Sequence, residues 1–99
     1  MFAGTRSFNQ PLESWDVSRV QNMAHMFDDA SAFNQPLDRW NLVAVTNITR
    51  MFGRAQVFSQ PLLSWDVAAV AHKTDVFADA VAFQQPETMA KWRAAGYIG

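Results

Sequence analysis

The sequence predicts an α/β fold, a solenoid of four 25-residue repeats in which each repeat supplies a short strand and a helix. Three observations predict it. The chain repeats at a fixed period without insertions, apolar residues within each repeat recur at helical spacing, and a proline precedes a short run with extended character. We expect one domain, residues 1–99, with repeats that start at residues 1, 26, 51 and 76.

The period is visible when the sequence is shifted by 25 residues and compared with itself. The aligned positions are Phe2, Phe27, Phe52 and Phe77; Phe8, Phe33, Phe58 and Phe83; Pro11, Pro36, Pro61 and Pro86; and Trp15, Trp40 and Trp65. One such unit cannot bury its own apolar face, whereas stacked units share a core. The tryptophans are therefore expected to form an internal ladder.

The predicted helix occupies the second half of each repeat. Apolar residues there follow one another at spacings of three, three, one and three: Val20, Met23, Met26, Phe27 and Ala30. This spacing is typical of one face of a helix, and it recurs in the next copies. It predicts helices near residues 20–30, 45–55 and 70–80.

The predicted strand follows the proline, because Trp15 and Val17 point the same way in an extended segment. Its copies are expected near residues 14–17, 39–42 and 64–67. A strand and a helix in every 25 residues are the plan of a leucine-rich-repeat-like solenoid. The alternative is a purely helical architecture in which the stretch from phenylalanine to tryptophan is a long loop.

The fourth copy departs from the pattern after its proline. Glu87 replaces the expected leucine, and Trp92 arrives two places late. Residues 87–99 are therefore expected to form an atypical C-terminal cap, with a short helix through Met89 and Trp92 that stops at Gly96.

Composition excludes several functional classes. Eight basic and nine acidic residues give a formal charge of −1, without the basic surplus of a nucleic-acid binder. The chain has no cysteine for thiolate catalysis or disulfides. No apolar run approaches the roughly 20 residues that cross a bilayer, and no export signal is apparent, so neither membrane insertion nor a leader is expected within this chain.

The repeat motif is Met-Phe, Ala, Phe-Asn-Gln-Pro-Leu and Trp-Asp-Val. It resembles the repeats of the BspA-like bacterial surface-protein family, which also occur in mycoplasma-type lipoproteins. The resemblance covers residues 1 to about 86 and departs at Ser59, Gln84, Asn41, His72 and Lys73. It implies a leucine-rich-repeat-like solenoid on a surface or secreted protein, with adhesion or protein binding as the function and no catalytic residue.

Polar residues at fixed positions of the repeat invite functional hypotheses. Asp16, Asn41 and Asp66 share one position, where turn or helix capping is favoured over a cation site because a hard cation needs more oxygen ligands. The stacked Asn-Gln pairs before each proline are expected to hydrogen-bond neighbouring turns. We expect His25 and His72 to be solvated, and predict no catalytic, cofactor-binding or metal-binding residue.

The positions that vary between copies predict the binding face. They flank the predicted strand and include Glu13, Ser14, Ser18, Arg19, Asp38, Arg39, Val43, Leu63 and Ser64. We expect a protein partner at this face and a non-enzymatic interaction module. The alternatives are a structural spacer and a carbohydrate-binding repeat protein, the latter requiring outward-facing tryptophans.

The N-terminal end is a second candidate surface. The chain starts within a repeat unit, so Phe2 and Phe8 should be more exposed than Phe27 and Phe33. An apolar end of this kind can pair with an identical one across a two-fold axis. The sequence therefore predicts a homodimer through residues 1–12, with Met1, Phe2 and Phe8 as the self-association residues.

Overall fold

The backbone of each repeat is a succession of reverse turns. The structure, a computed structural model, describes residues 2–99. Within them the only helix is α1, Pro86–Ala94. Strand pairing in the described residues is limited to two isolated parallel bridges, Asn22 with Asn47 and Asn47 with His72. The prediction of an α/β, leucine-rich-repeat-like solenoid is therefore wrong, and so is the helical alternative.

Turns also explain why the apolar spacing imitated a helix. The amides of Val20, Met26 and Ala30 donate to the carbonyls of the residues three positions earlier. These turns bring residues three apart to the core together, Met23 with Met26 and Phe27 with Ala30. A spacing of three is also found on one face of a helix, so the two structures produce a similar apolar pattern.

A helix cannot form over residues 20–30 because its hydrogen bonds are made elsewhere. The amides of Met23, His25 and Phe27 donate to carbonyls of the next copy, at Asn47, Thr49 and Met51, over 2.8 to 2.9 Å. His25 and Asp29 also have φ of 60° and 63°, in the left-handed region. A positive φ suits the third residue of a tight turn and interrupts a right-handed helix.

The predicted strand is replaced by two further turns. The amide of Trp15 donates to the carbonyl of Leu12, and that of Val20 donates to Val17. Asp16 accepts a hydrogen bond from the amide of Ser18 over 3.0 Å, which fixes the bend between the two turns. Asn41 and Asp66 do the same in their copies, so the turn role expected for this position is confirmed.

The core consists of aromatic columns with one ring from each copy. Phe27 and Phe52 have nearly parallel rings with centroids 5.5 Å apart, and Phe33 and Phe58 stack at 6.0 Å. All four rings are completely buried. Offset stacking of this kind adds about 0.5–1.5 kcal/mol per pair to the burial of the rings.

The burial predicted for the tryptophans is confirmed in the internal copies, where each indole packs against a phenylalanine of its own copy, Trp40 against Phe27 and Trp65 against Phe52. Trp40 is 4% exposed and Trp65 is 1% exposed. Each indole N–H donates over 2.9 Å to a carbonyl of the preceding copy, Leu12 for Trp40 and Leu37 for Trp65. A buried indole needs such an acceptor, and the repeat supplies one at a fixed position.

The C-terminal cap contains the short helix that the sequence predicted. Pro86 stands at its first turn, Glu87 is in that turn, and Lys91 and Arg93 occupy the last turn, all of which favour a helix there. The helix places Trp92 in the core with no exposed surface.

Tyr97 packs edge-on against Trp92, with ring centroids 5.5 Å apart. The molecule measures 32 × 27 × 19 Å along its principal axes. No helix in residues 2–99 is long and apolar enough to cross a membrane.

Candidate interaction surface

The exposed face between the second and third copies contains a cleft of about 300 Å³. Its buried lining residues are apolar, and its exposed lining residues are partly polar and partly apolar. The lining residues are Trp40, Asn41, Leu42, Val43, Val45, Ser64, Trp65, Asp66, Ala69 and Val70. We call this the interrepeat cleft. It is formed by equivalent positions of two adjacent copies, which bend at their Asn41 and Asp66 turns.

The structure brings two of the predicted binding residues to this cleft, Val43 and Ser64. Val43 is 78% exposed, so its branched apolar side chain faces solvent at the edge of the cleft. Ser64 is held in place by Asp38, which accepts hydrogen bonds from its amide and its hydroxyl over 2.9 and 3.1 Å. The cleft therefore has an apolar edge on one copy and a fixed polar edge on the other.

The other predicted binding residues lie outside the interrepeat cleft. Ser14, Arg19, Arg39 and Leu63 are exposed, and Glu13, Ser18 and Asp38 are half-buried. Ser18 hydrogen-bonds Asp16 through its hydroxyl over 2.6 Å. The face predicted from variation is thus accessible, but only part of it is concave.

A smaller cleft of about 220 Å³ lies at the first copy. Its lining residues are Trp15, Asp16, Val17, Val20, Asn22, Met23, Ala24 and Met26. Trp15 is 44% exposed here, in contrast to Trp40 and Trp65. Of the predicted self-association residues, Phe2 and Phe8 are half-buried while Phe27 and Phe33 are buried, as expected. Met1 lies outside the described residues.

The amide ladder expected at the Asn-Gln pairs is confirmed. Asn9 accepts hydrogen bonds from the amide of Asn34 and the side-chain amide of Gln35, both over 3.0 Å. Asn34 likewise accepts hydrogen bonds from the amide of Ser59 and the side-chain amide of Gln60. These groups bond one another between copies, which explains why they repeat.

Sequence reasoning missed an ion-pair cluster around Asp28. Asp28 is buried, and its carboxylate lies 3.0 Å from His25 Nδ1, 3.5 Å from Arg50 Nε and 3.4 Å from Arg54 Nη2. Burial raises the pKa of Asp28, but the hydrogen bond with His25 and the charges of Arg50 and Arg54 outweigh it and hold the pKa below its usual value.

Arg50 is the last residue of the copy that contains Asp28 and Arg54 lies in the next copy, and the sequence gives no sign that either returns to Asp28. His25 was expected to be solvated; its side chain is half exposed, yet it is paired. Within residues 2–99 no group of three or more histidine, cysteine or acidic side chains is arranged to hold a metal ion. The cluster holds two copies together through charge.

Comparison with known families decides the chain's membership. Residues 1–92 match the family described as "Mycoplasma protein of unknown function, DUF285". The chain belongs to this family. No curated protein and no solved structure matched it. Membership of the DUF285 family agrees with the repetitive character of the chain and leaves its function open.

Proposed function

We propose that this DUF285 chain is a non-enzymatic protein-interaction module whose contact surface is the variable face centred on the interrepeat cleft. The observation that carries the proposal is the cleft itself, whose buried lining is apolar and whose exposed lining combines polar residues with Val43 and Ala69. Side chains that anchor protein interfaces commonly enter concavities of this composition.

The distribution of repeated and varying positions supports this proposal. Repeated residues such as Phe52, Trp65 and Asn34 are used in the core or in hydrogen bonds between copies. Varying residues such as Val43, with Ala44 in the same turn, lie where substitution costs the core little. A surface that changes on a constant framework can acquire a specific partner without loss of stability.

The polar groups near the cleft favour binding over catalysis. Asn41 and Asp66 each accept a hydrogen bond from an amide two residues later, which fixes them as turn residues. His25 and His72 do not line the cleft. General acid–base catalysis needs a titratable group beside the reacting atoms, and this cleft offers Asp66 alone.

The resemblance to BspA-like surface proteins supports a role in adhesion and a place on a surface or secreted protein. The motif that carries it is Phe-Asn-Gln-Pro-Leu followed by Trp-Asp-Val. Antibody labelling of intact against permeabilised cells tests the location. Labelling that requires permeabilisation would contradict it.

Two alternatives make different demands on the structure. A carbohydrate-binding face needs outward tryptophans, and Trp40 and Trp65 are buried. A structural spacer needs no accessible concavity. We therefore favour protein binding, and iodide quenching of tryptophan fluorescence separates the first alternative: only Trp15 should be readily quenched.

The test is a selection for ligands of the cleft. A phage-displayed peptide library is panned against the immobilised chain, and selected peptides are measured by fluorescence titration. Ala69→Arg, which places a long side chain in the cleft, should weaken their binding at least about tenfold. Val81→Arg, at an exposed apolar position outside the cleft, is the matched control. Peptides indifferent to Ala69→Arg, or a selection yielding no binder, would count against the proposal.

A further inference from the structure

The N-terminal side of the first copy carries an aromatic surface with unused hydrogen-bond donors. We call it the first-copy face, defined by Phe2, Phe8, Asn9, Gln10 and Trp15. The rings of Phe2 and Phe8 stack at 4.4 Å, and Phe2 lies 5.7 Å from Trp15. Both phenylalanines are half-buried and Trp15 is exposed.

The equivalent face of the second copy shows what covers such a surface. Phe27 is covered by Phe2 at 5.5 Å, and Phe33 by Phe8 at 5.8 Å. The indole N–H of Trp40 donates to the carbonyl of Leu12 over 2.9 Å.

The polar part of that face is covered as well. The amides of Asn34 and Gln35 donate to Asn9. Two stacked rings, one leucine carbonyl and one side-chain amide oxygen therefore complete the face.

The third copy repeats the arrangement. Phe52 is covered by Phe27 at 5.5 Å, and Trp65 donates to Leu37 over 2.9 Å. The amide of Ser59 donates to Asn34 over 3.0 Å. Because the same contacts occur at both interfaces, they depend on the repeated motif residues and not on the residues that vary between copies.

The corresponding donors of the first copy have no acceptor in the part of the chain that the structure describes. Within residues 2–99 the indole N–H of Trp15, the amide of Asn9 and the side-chain amide of Gln10 make no hydrogen bond. Their partners elsewhere in the molecule stand 25 to 28 residues earlier in the sequence. The first-copy face thus presents a defined pattern of donors around an aromatic centre.

We propose that the first-copy face is a docking site for one further 25-residue unit of the same motif, a unit that presents the side by which the first copy covers the second. Such a unit offers the paired rings, the leucine carbonyl and the asparagine side chain that the covered faces use. The complement is one of shape and of hydrogen-bond polarity, which gives the site its specificity.

A second copy of this chain fits less well. A two-fold contact would bring the first-copy face against the same face, which presents the donors of Trp15 and Asn9 again in place of the leucine carbonyl and asparagine oxygen that the covered faces use. A head-to-tail contact would need a free carbonyl at the fourth copy's leucine position, which is Glu87 inside α1. That end is also closed by Tyr97, which packs edge-on against Phe77 at 6.2 Å.

The test joins a copy of residues 26–50 directly before residue 1, which reproduces the natural spacing. Hydrogen exchange of the Trp15 indole N–H is followed by NMR, with Trp15→Phe to assign the resonance. Docking should slow this exchange roughly tenfold or more, because the proton becomes hydrogen-bonded and buried. The urea midpoint of unfolding should rise as well.

The matched control is the same fusion with two extra residues at the junction, which moves the unit out of register. It should leave Trp15 exchange and the urea midpoint at the values of the parent chain. Unchanged exchange in the in-register fusion would refute the proposal, as would equal protection by both fusions.

Sedimentation of the parent chain tests whether a second copy of this chain binds at the first-copy face. A concentration-dependent dimer in which Trp15 becomes protected, abolished by Phe2→Glu, would assign the first-copy face to self-association instead. A monomer at all concentrations agrees with the proposal.

Discussion

The indole ring of Trp92 stacks on that of Trp65, with centroids 6.2 Å apart and planes inclined by 22°. The earlier tryptophans follow one another at 25 residues, whereas Trp92 comes two residues late. Helix α1 compensates for the delay because its coiled backbone shortens the path between Pro86 and the indole. The cap therefore places one more buried indole beside Trp65 with a different backbone, but within residues 2–99 Trp92 Nε1 has no hydrogen-bond partner, unlike the indoles of Trp40 and Trp65.

Trp92→Ala should destabilise the chain by about 3–5 kcal/mol, the same range as Trp40→Ala, because both indoles are buried. The sequence alone led us to expect a smaller loss at Trp92, since that residue stands in the irregular segment. Trp15→Ala, at an exposed indole, should cost less than either. Urea unfolding of the three variants measures the order. If Trp92→Ala unfolds like Trp15→Ala, the ladder ends at Trp65.

Asp28→Asn should remove part of the pH dependence of stability. The pKa of Asp28 is lowered in the folded chain, so its ion pairs stabilise the fold above the unfolded value of about 3.9 and are lost as pH falls through the folded pKa. The melting temperature of the wild type should therefore drop as the solution is acidified below about pH 4.

Asp28→Asn should be less stable at neutral pH and should lose less on acidification. Asp79→Asn is the control, since Asp79 is exposed and its positive φ suits asparagine. Parallel acid profiles for wild type and Asp28→Asn would show that the cluster contributes nothing.

Gly53→Ala tests how closely the ion-pair cluster is packed. A Cβ at Gly53 would lie 3.0 Å from Asp28 Oδ1 and 3.1 Å from Arg50 Nη2. The variant should lose about 1–3 kcal/mol through overpacking. In an Asp28→Ala background the same substitution should cost less, because the crowded oxygen is gone. Equal losses in both backgrounds would place the strain elsewhere.

Asn34→Ala should cost about 1–3 kcal/mol, because it leaves the amides of Ser59 and Gln60 without their acceptor. Asn34→Ser should cost less, because a serine hydroxyl can be the acceptor: at the next interface the hydroxyl of Ser59 accepts hydrogen bonds from Gln84 and Gln85. Chemical unfolding gives the two losses, and hydrogen exchange at the Ser59 amide localises them. Equal losses of stability in Asn34→Ala and Asn34→Ser would show that the side-chain acceptor at residue 34 does not stabilise the interface.

The sequence predicted which residues meet but misjudged the backbone that joins them. Identical residues at a fixed period have to be equivalent in space, so the ladders of Trp40 and Asn34 followed from alignment alone. The apolar spacing around Met23 could not distinguish a helix from chained turns, because both bring residues three apart to the core. The feature that rules out a helix is the positive φ at His25, and a histidine in the sequence does not indicate a positive φ.

The interrepeat cleft was predictable only in part. Variation at Val43 and Ser64 indicated an exposed face that includes the cleft, because substitutions are tolerated where side chains are exposed. The concavity depends on how the turns at Asn41 and Asp66 are placed relative to each other, which the pattern does not encode. The partners of Asp28 were hidden for the same reason: Arg50 and Arg54 reach it only through the turn geometry.

The backbone hydrogen bonds between copies carry a consequence for the rate of folding. Every such bond, from Phe2 with Met26 to Arg54 with Ala78, closes a chain segment of nearly the same length. The entropy lost on closing a loop depends on its length, so each of the three interfaces presents a similar barrier to nucleation. Folding can then begin at any adjacent pair of copies and extend in either direction, with few short-range contacts to accelerate the first step.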